Sequence, residues 1–183
     1  MAAYKHYRNS NRPGATLFIT TTVLDFVDAF RRAEMRHAMA FHLARECKLA
    51  GATLFGFVVM PHHIHMVAKL APKLIGPAFM RAFKANTSAA MLRLLTEIER
   101  KDFDQQRGLN RRQFWKYSYR SIEVLNEKMF WQKMEYMHLN PVVAGYVDRP
   151  QDYPWSSPRF IVEGHWSNES GLNYNEVMKS LGT

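Results

Sequence analysis

The 183-residue sequence predicts an α+β fold of βαββαβ order, a ferredoxin-like split antiparallel sheet with one additional C-terminal helix. Three observations carry that expectation. Short runs rich in β-branched and aromatic residues recur at 16–23, 53–60, 63–70 and 114–120. Longer stretches rich in good helix formers separate or follow them, at 27–50, 74–100 and 122–139. A hydrophobic content of 47% over this length suits a single core. One domain is therefore expected, with a basic arm over 1–14, a core over 15–145 and a tail over 146–183.

The first strand, 16–23, is the threonine-rich run Thr-Leu-Phe-Ile-Thr-Thr-Thr-Val. Residues 27–50 contain neither Pro nor Gly and stop at Gly51, a helix-ending residue. The runs 53–60 and 63–70 flank Pro61, which cannot donate to a central ladder, so they read as neighbouring strands joined by a turn. After the helix at 74–100, the polar stretch 101–112 with Gly108 and Asn110 reads as a loop. The aromatic run Phe114 to Arg120 is then the fourth strand and 122–139 the last long helix. Pro141, Gly145, Pro150 and Pro154 punctuate the tail.

Charge narrows the partners. Twenty-five Lys and Arg against 16 Asp and Glu give a formal charge of +9, which favours a polyanion such as nucleic acid. The cations are spread along the chain and do not load one amphipathic helix, which argues against a membrane-surface role. No export signal or membrane span is visible, and Cys47 as the single cysteine excludes a disulfide framework, so a cytoplasmic location is expected. Residues 81–120 hold ten Lys or Arg against four Asp or Glu. Phosphate contacts are expected there from Arg81, Lys84, Arg111, Arg112, Lys116 and Arg120, and in the N-terminal arm from Lys5 and Arg8.

The chemistry concentrates in two places. In Pro61-His62-His63-Ile64-His65-Met66, strand alternation projects His63 and His65 to one face, where two imidazoles can share a metal ion. His62 points the other way in a regular strand and reaches the site only if the turn extends through it. The late helix offers Tyr136 and Asn140, four residues apart and so on one helical face. A phenol is a weak nucleophile toward a phosphodiester unless a cation polarises the phosphate, and an amide oxygen with two imidazoles suits Mg²⁺ or Mn²⁺. Plainer readings exist for each: two ordinary strand histidines, a half-buried helix tyrosine, and an Asn-Pro pair that starts a new short helix.

Three ordered blocks then resemble the signatures of REP-associated tyrosine transposases, relatives of the single-tyrosine transposases of small insertion sequences. They are Val59-Met60-Pro61-His62-His63-Ile64-His65-Met66, Tyr136-Met137-His138-Leu139-Asn140-Pro141-Val142-Val143-Ala144-Gly145, and Asp152-Tyr153-Pro154-Trp155-Ser156-Ser157. The resemblance runs from about residue 16 to about residue 160. It implies an HUH-type endonuclease in which His63 and His65 hold a divalent ion, Asn140 stands where relatives supply a third ligand, and Tyr136 attacks single-stranded DNA. The attack implied leaves a 5′-phosphotyrosine linkage and a free 3′-hydroxyl, and its reversal rejoins strands. The substrates implied are hairpin-forming repeats with a single-stranded flank, handled by a monomer or a homodimer. The chain departs from the family pattern at His62, where relatives most often carry Asn. Trp155, Ser156 and Ser157 are expected to pin the tail to the domain.

Two other functions compete. A non-catalytic nucleic-acid-binding domain on the same fold would leave the histidine pair without a task, and Phe55-Gly56-Phe57-Val58 only partly matches the aromatic strand motif of RNA-recognition domains. A metal-dependent hydrolase that activates water would cleave without Tyr136.

Overall fold

The structure, a computed structural model, describes residues 9–107 and 113–158. Its elements are β1 (Thr16–Thr22), α1 (Ala33–Leu49), β2 (Thr53–Val59), β3 (His63–Lys69), α2 (Gly76–Leu94), α3 (Glu97–Arg107), β4 (Arg120–Glu123) and α4 (Glu127–Val143). The four strands form one antiparallel sheet in the order β2-β3-β1-β4, the split βαββαβ arrangement.

Alternation along the strands divides the interior in two. Leu17 and Ile19 of β1 and Ile64 and Met66 of β3 face α1 and α2, where Met35, Met39, Leu43, Phe79 and Phe83 complete one core. Phe18, Val58 and Val67 face the opposite way and pack with Phe130, Met134 and Met137 of α4 in a second core. The added helix thus covers the second face of the sheet. Gly56 lets it come close: a Cβ there would lie 2.5 Å from Met134 Cε and 2.9 Å from Met137 Cε.

Four boundaries differ from the sequence reading. The first helix starts at Ala33, after a 3-10 turn at Leu24–Phe26. The helix expected over 74–100 breaks after Leu94, and the loop expected from 101 is helical through Arg107. The reason is a new start at Thr96. Its Oγ1 accepts from Glu99 N at 3.2 Å while Glu99 Oε2 accepts from Thr96 N at 2.8 Å, a capping box. The aromatic run 114–120 is not a strand. It makes one bridge, Trp115 to Val23, and the fourth strand lies further on at Arg120–Glu123. Finally, α4 begins at Glu127, where Asn126 Oδ1 accepts from Met129 N at 2.9 Å, and it continues through Pro141 to Val143. No new helix begins at Asn140.

Both edges of the sheet are covered by irregular chain. Outside β2, Ser156 bridges Val58, Val59 N donates to Trp155 O at 2.9 Å, and Ser157 N donates to Phe57 O at 3.0 Å. The tail block does pin the chain to the domain. Outside β4, Asn9 Oδ1 accepts from Ser121 N, and Ser10 and Arg12 both bond Glu123. Among the described residues, no helix is long and apolar enough to cross a membrane.

Candidate functional site

β3 is a central strand, and its register fixes the surroundings of the histidine pair. His65 lies opposite Thr20 of β1 and Val58 of β2, and His63 lies opposite Thr22. Both rings emerge on the α4 face, with centroids 4.8 Å apart. His65 is 5% exposed, its ring stacks on Phe18 at 5.4 Å, and its Nδ1 is 2.8 Å from Thr20 Oγ1. When Nδ1–H donates to that hydroxyl, the Nε2 lone pair is left for a ligand. Burial pushes His65 down to about 3, helped by the neighbouring His63 and opposed by a hydrogen bond with Asn140. His63 is pushed down to about 4, by burial first and His62 second. Both rings are therefore neutral near pH 7, the form that binds metals.

α4 brings Tyr136 to the same place. Its ring meets His65 edge-on at 5.9 Å and Phe18 at 5.9 Å, and the residue stays 56% exposed. One turn on, Asn140 Nδ2 donates to Tyr136 O at 2.8 Å, which leaves its amide oxygen for His65 or a cation. The helix runs unbroken from Tyr136 to Asn140 despite Pro141, so their one-turn spacing survives. Among the described residues no three His, Cys, Asp or Glu side chains are grouped to hold a metal. The donor set on offer is two neutral imidazoles and one amide oxygen, and it fits Mn²⁺ or Mg²⁺ completed by solvent or phosphate oxygens.

His62 departs from a regular strand. The turn extends through it, so its ring stands 4.7 Å from that of His63 and its Nδ1 lies 3.3 Å from Asp28 Oδ1. Sequence reasoning also missed Thr20, Phe18 and Lys133. The Lys133 ammonium lies 5.8 Å from the centre of the Phe18 ring, beside the site.

The expected phosphate contacts separate into groups. Arg120 opens β4 opposite Thr20, and alternation puts it on the histidine face. Arg81, Lys84 and Lys116 line a cleft of about 630 Å³ with Trp115, Tyr117 and Tyr119, built on α2. Lys84 is committed there: its Nζ donates to Lys116 O, Tyr117 O and Ser118 O at 2.7, 3.0 and 2.9 Å. Burial lowers its pKa to about 8. It ties down the 116–118 segment and is not held out toward a phosphate. Lys5, Arg8, Arg111 and Arg112 lie outside the described residues.

A family model described as transposase, IS200 like, matches residues 28–138. No curated protein matches. Solved structures that share the fold include a transposase and a candidate transposase. A REP-associated tyrosine transposase bound to a REP hairpin superposes with a TM-score of 0.60 at 21% identity, over 91% of this chain and 89% of that one. A candidate transposase from Deinococcus radiodurans R1 gives a TM-score of 0.52 at 16% identity, over 74% of this chain and 95% of the other.

Proposed function

Because the chain belongs to the IS200-like transposase family, we propose that it is a single-stranded DNA endonuclease and strand transferase with Tyr136 as nucleophile. The observation that carries this reading is the Tyr136 ring lying against His65, above a neutral histidine pair on the same face. His63, His65 and Asn140 would hold one divalent ion, Mg²⁺ or Mn²⁺. When bound, such an ion supplies Lewis-acid polarisation of the phosphodiester and offsets the charge that develops on it.

The chain's own groups do the rest. Thr20 and Phe18 fix the His65 ring, and Phe18 also abuts Tyr136, so nucleophile and ligand are aligned on one side chain. Arg120 and Lys133 place positive charge beside the strand to be cut. The Tyr136 phenol oxygen attacks phosphorus, the bond to the 3′ oxygen breaks, and the proton given up by the phenol is balanced by the one the released 3′-hydroxyl gains. The 5′ side of the DNA stays esterified to Tyr136, and attack by another 3′-hydroxyl reverses the step and joins strands. A hairpin with a single-stranded flank is the substrate this reading assigns, by likeness to the hairpin-bound neighbour.

The test is a denaturing gel of purified protein with Mn²⁺ or Mg²⁺ and labelled hairpin oligonucleotides drawn from repeats near its own gene. The expected result is a covalent protein–DNA band that disappears with chelator and with Tyr136→Phe. Cleavage that persists in Tyr136→Phe would assign the site to water activation, and tight binding without cleavage under either metal would favour a non-catalytic binder.

A further inference from the structure

One part of this face is used neither by the nucleophile nor by the ligand set. Beyond β1 the chain is held from both sides: Val23 N donates to His62 O at 2.8 Å, Leu24 N to Phe114 O at 2.9 Å, and Lys116 N to Thr22 O at 2.9 Å. It then turns through Asp25 (φ 54°) and Phe26 (φ 58°), two adjacent left-handed residues, neither of them glycine. L side chains rarely adopt that conformation, and its persistence means the surroundings impose it. The result is an aromatic ring turned outward, 61% exposed, with Lys116 Nζ 3.3 Å from its centre. The Phe26 ring meets His62 edge-on at 5.9 Å, and His62 is 4.7 Å from His63.

We propose that Phe26 and Lys116 form a stacking platform for one unpaired base of single-stranded DNA, on the His62 side of the histidine pair. The proposal rests on the nuclease reading above. Strain that buries a side chain is common; here the strain exposes one, where a hydrophobic ring gains nothing from water. A nucleobase gives the ring a partner on its open face. Lys116 reinforces the stack from the other face and adds charge for the adjoining phosphate. Among the described residues, Asp25 and Phe26 are the non-glycine positions with left-handed backbone, and of these two Phe26 carries the exposed ring.

The experiment measures binding of the full chain to a fluorescent DNA hairpin carrying a single-stranded flank of about ten nucleotides, intact or with one abasic position moved along the flank. The wild type is expected to lose about tenfold in affinity at one abasic position. Phe26→Ala should lose about the same on the intact flank and nothing further at that position, while Phe26→Trp retains wild-type behaviour. Phe26→Gly relieves the left-handed backbone, so it should fold at least as stably and show the same loss, which separates lost stacking from misfolding. Wild-type affinity of Phe26→Ala for the intact flank, with normal covalent adduct formation, overturns the platform alone. A wild type that forms no adduct with this DNA overturns the nuclease reading and the platform with it.

Discussion

Thr20 shows how one hydroxyl can orient a candidate ligand, since its Oγ1 lies 2.8 Å from Nδ1 of His65. When Nδ1–H of His65 donates to it, the tautomer selected is the one whose Nε2 lone pair is left for a metal ion. Thr20→Val keeps the β-branched shape that β1 requires but removes the acceptor. We predict a fold of unchanged stability within about 1 kcal/mol and a Mn²⁺ affinity lowered about 10- to 100-fold, read by calorimetric titration. Equal Mn²⁺ affinity in the two proteins would remove Thr20 from the site. The low pKa values of His63 and His65 mean that no proton has to leave either ring before it can ligate near neutral pH, so this loss would not be recovered by raising the pH. His63 and His65 are legible in the sequence because two-residue alternation is local. Thr20, Phe18 and Lys133 are not, because they reach the site through the register of β1 with β3 and the docking of α4, which no local pattern encodes.

Among the elements, α3 depends most plainly on one local device. Besides the reciprocal Thr96–Glu99 bonds, Arg32 donates to Glu99 Oε1 at 2.6 Å and to Leu94 O at 2.9 Å, so the cap also ties the end of α2 to the entry of α1. Thr96→Ala is expected to destabilise the protein by about 1 kcal/mol in urea unfolding. An unchanged midpoint would mean that packing of Phe103 alone holds α3. The Thr-x-x-Glu signal at 96–99 is readable in the sequence, but continuous helix-forming composition across it masks the break at Leu95. The aromatic run 114–120 misleads for a different reason. Strand-like composition describes side chains that pack on a pleated surface, and Phe114 and Trp115 do pack, but both are buried in succession while Tyr117 is 84% exposed, which is not a strand's alternation. The proline in α4 misleads in the opposite direction: Pro141 falls in the last turn and forfeits one i→i−4 bond, yet the helix continues to Val143 and closes just beyond at Gly145 (φ 73°), with Tyr146 N donating to Pro141 O.

For the whole molecule, the decisive fact is that the pieces of the candidate site meet within one chain. α4 folds back over the same sheet that carries the histidines, and its Phe130, Met134 and Met137 share a core with Phe18, Val58 and Val67. Tyr136 is thereby held against His65 of its own chain. Serving a second copy's histidines would require α4 to leave this core and the partner's α4 to take its place. The irregular segments along β2 and β4 also occupy the sheet edges through which two copies would otherwise pair. On the proposed nuclease reading, with Tyr136 already against His65 of its own chain, cleavage is expected in cis. Mixing equal amounts of Tyr136→Phe and a His63→Ala, His65→Ala double variant pairs an intact metal site on one chain with an intact nucleophile on the other. If each chain must supply both, the mixture stays as inactive as its components at every concentration. Recovery of adduct formation, rising with the square of protein concentration, would instead show that the tyrosine serves a partner's histidines and that α4 exchanges between chains.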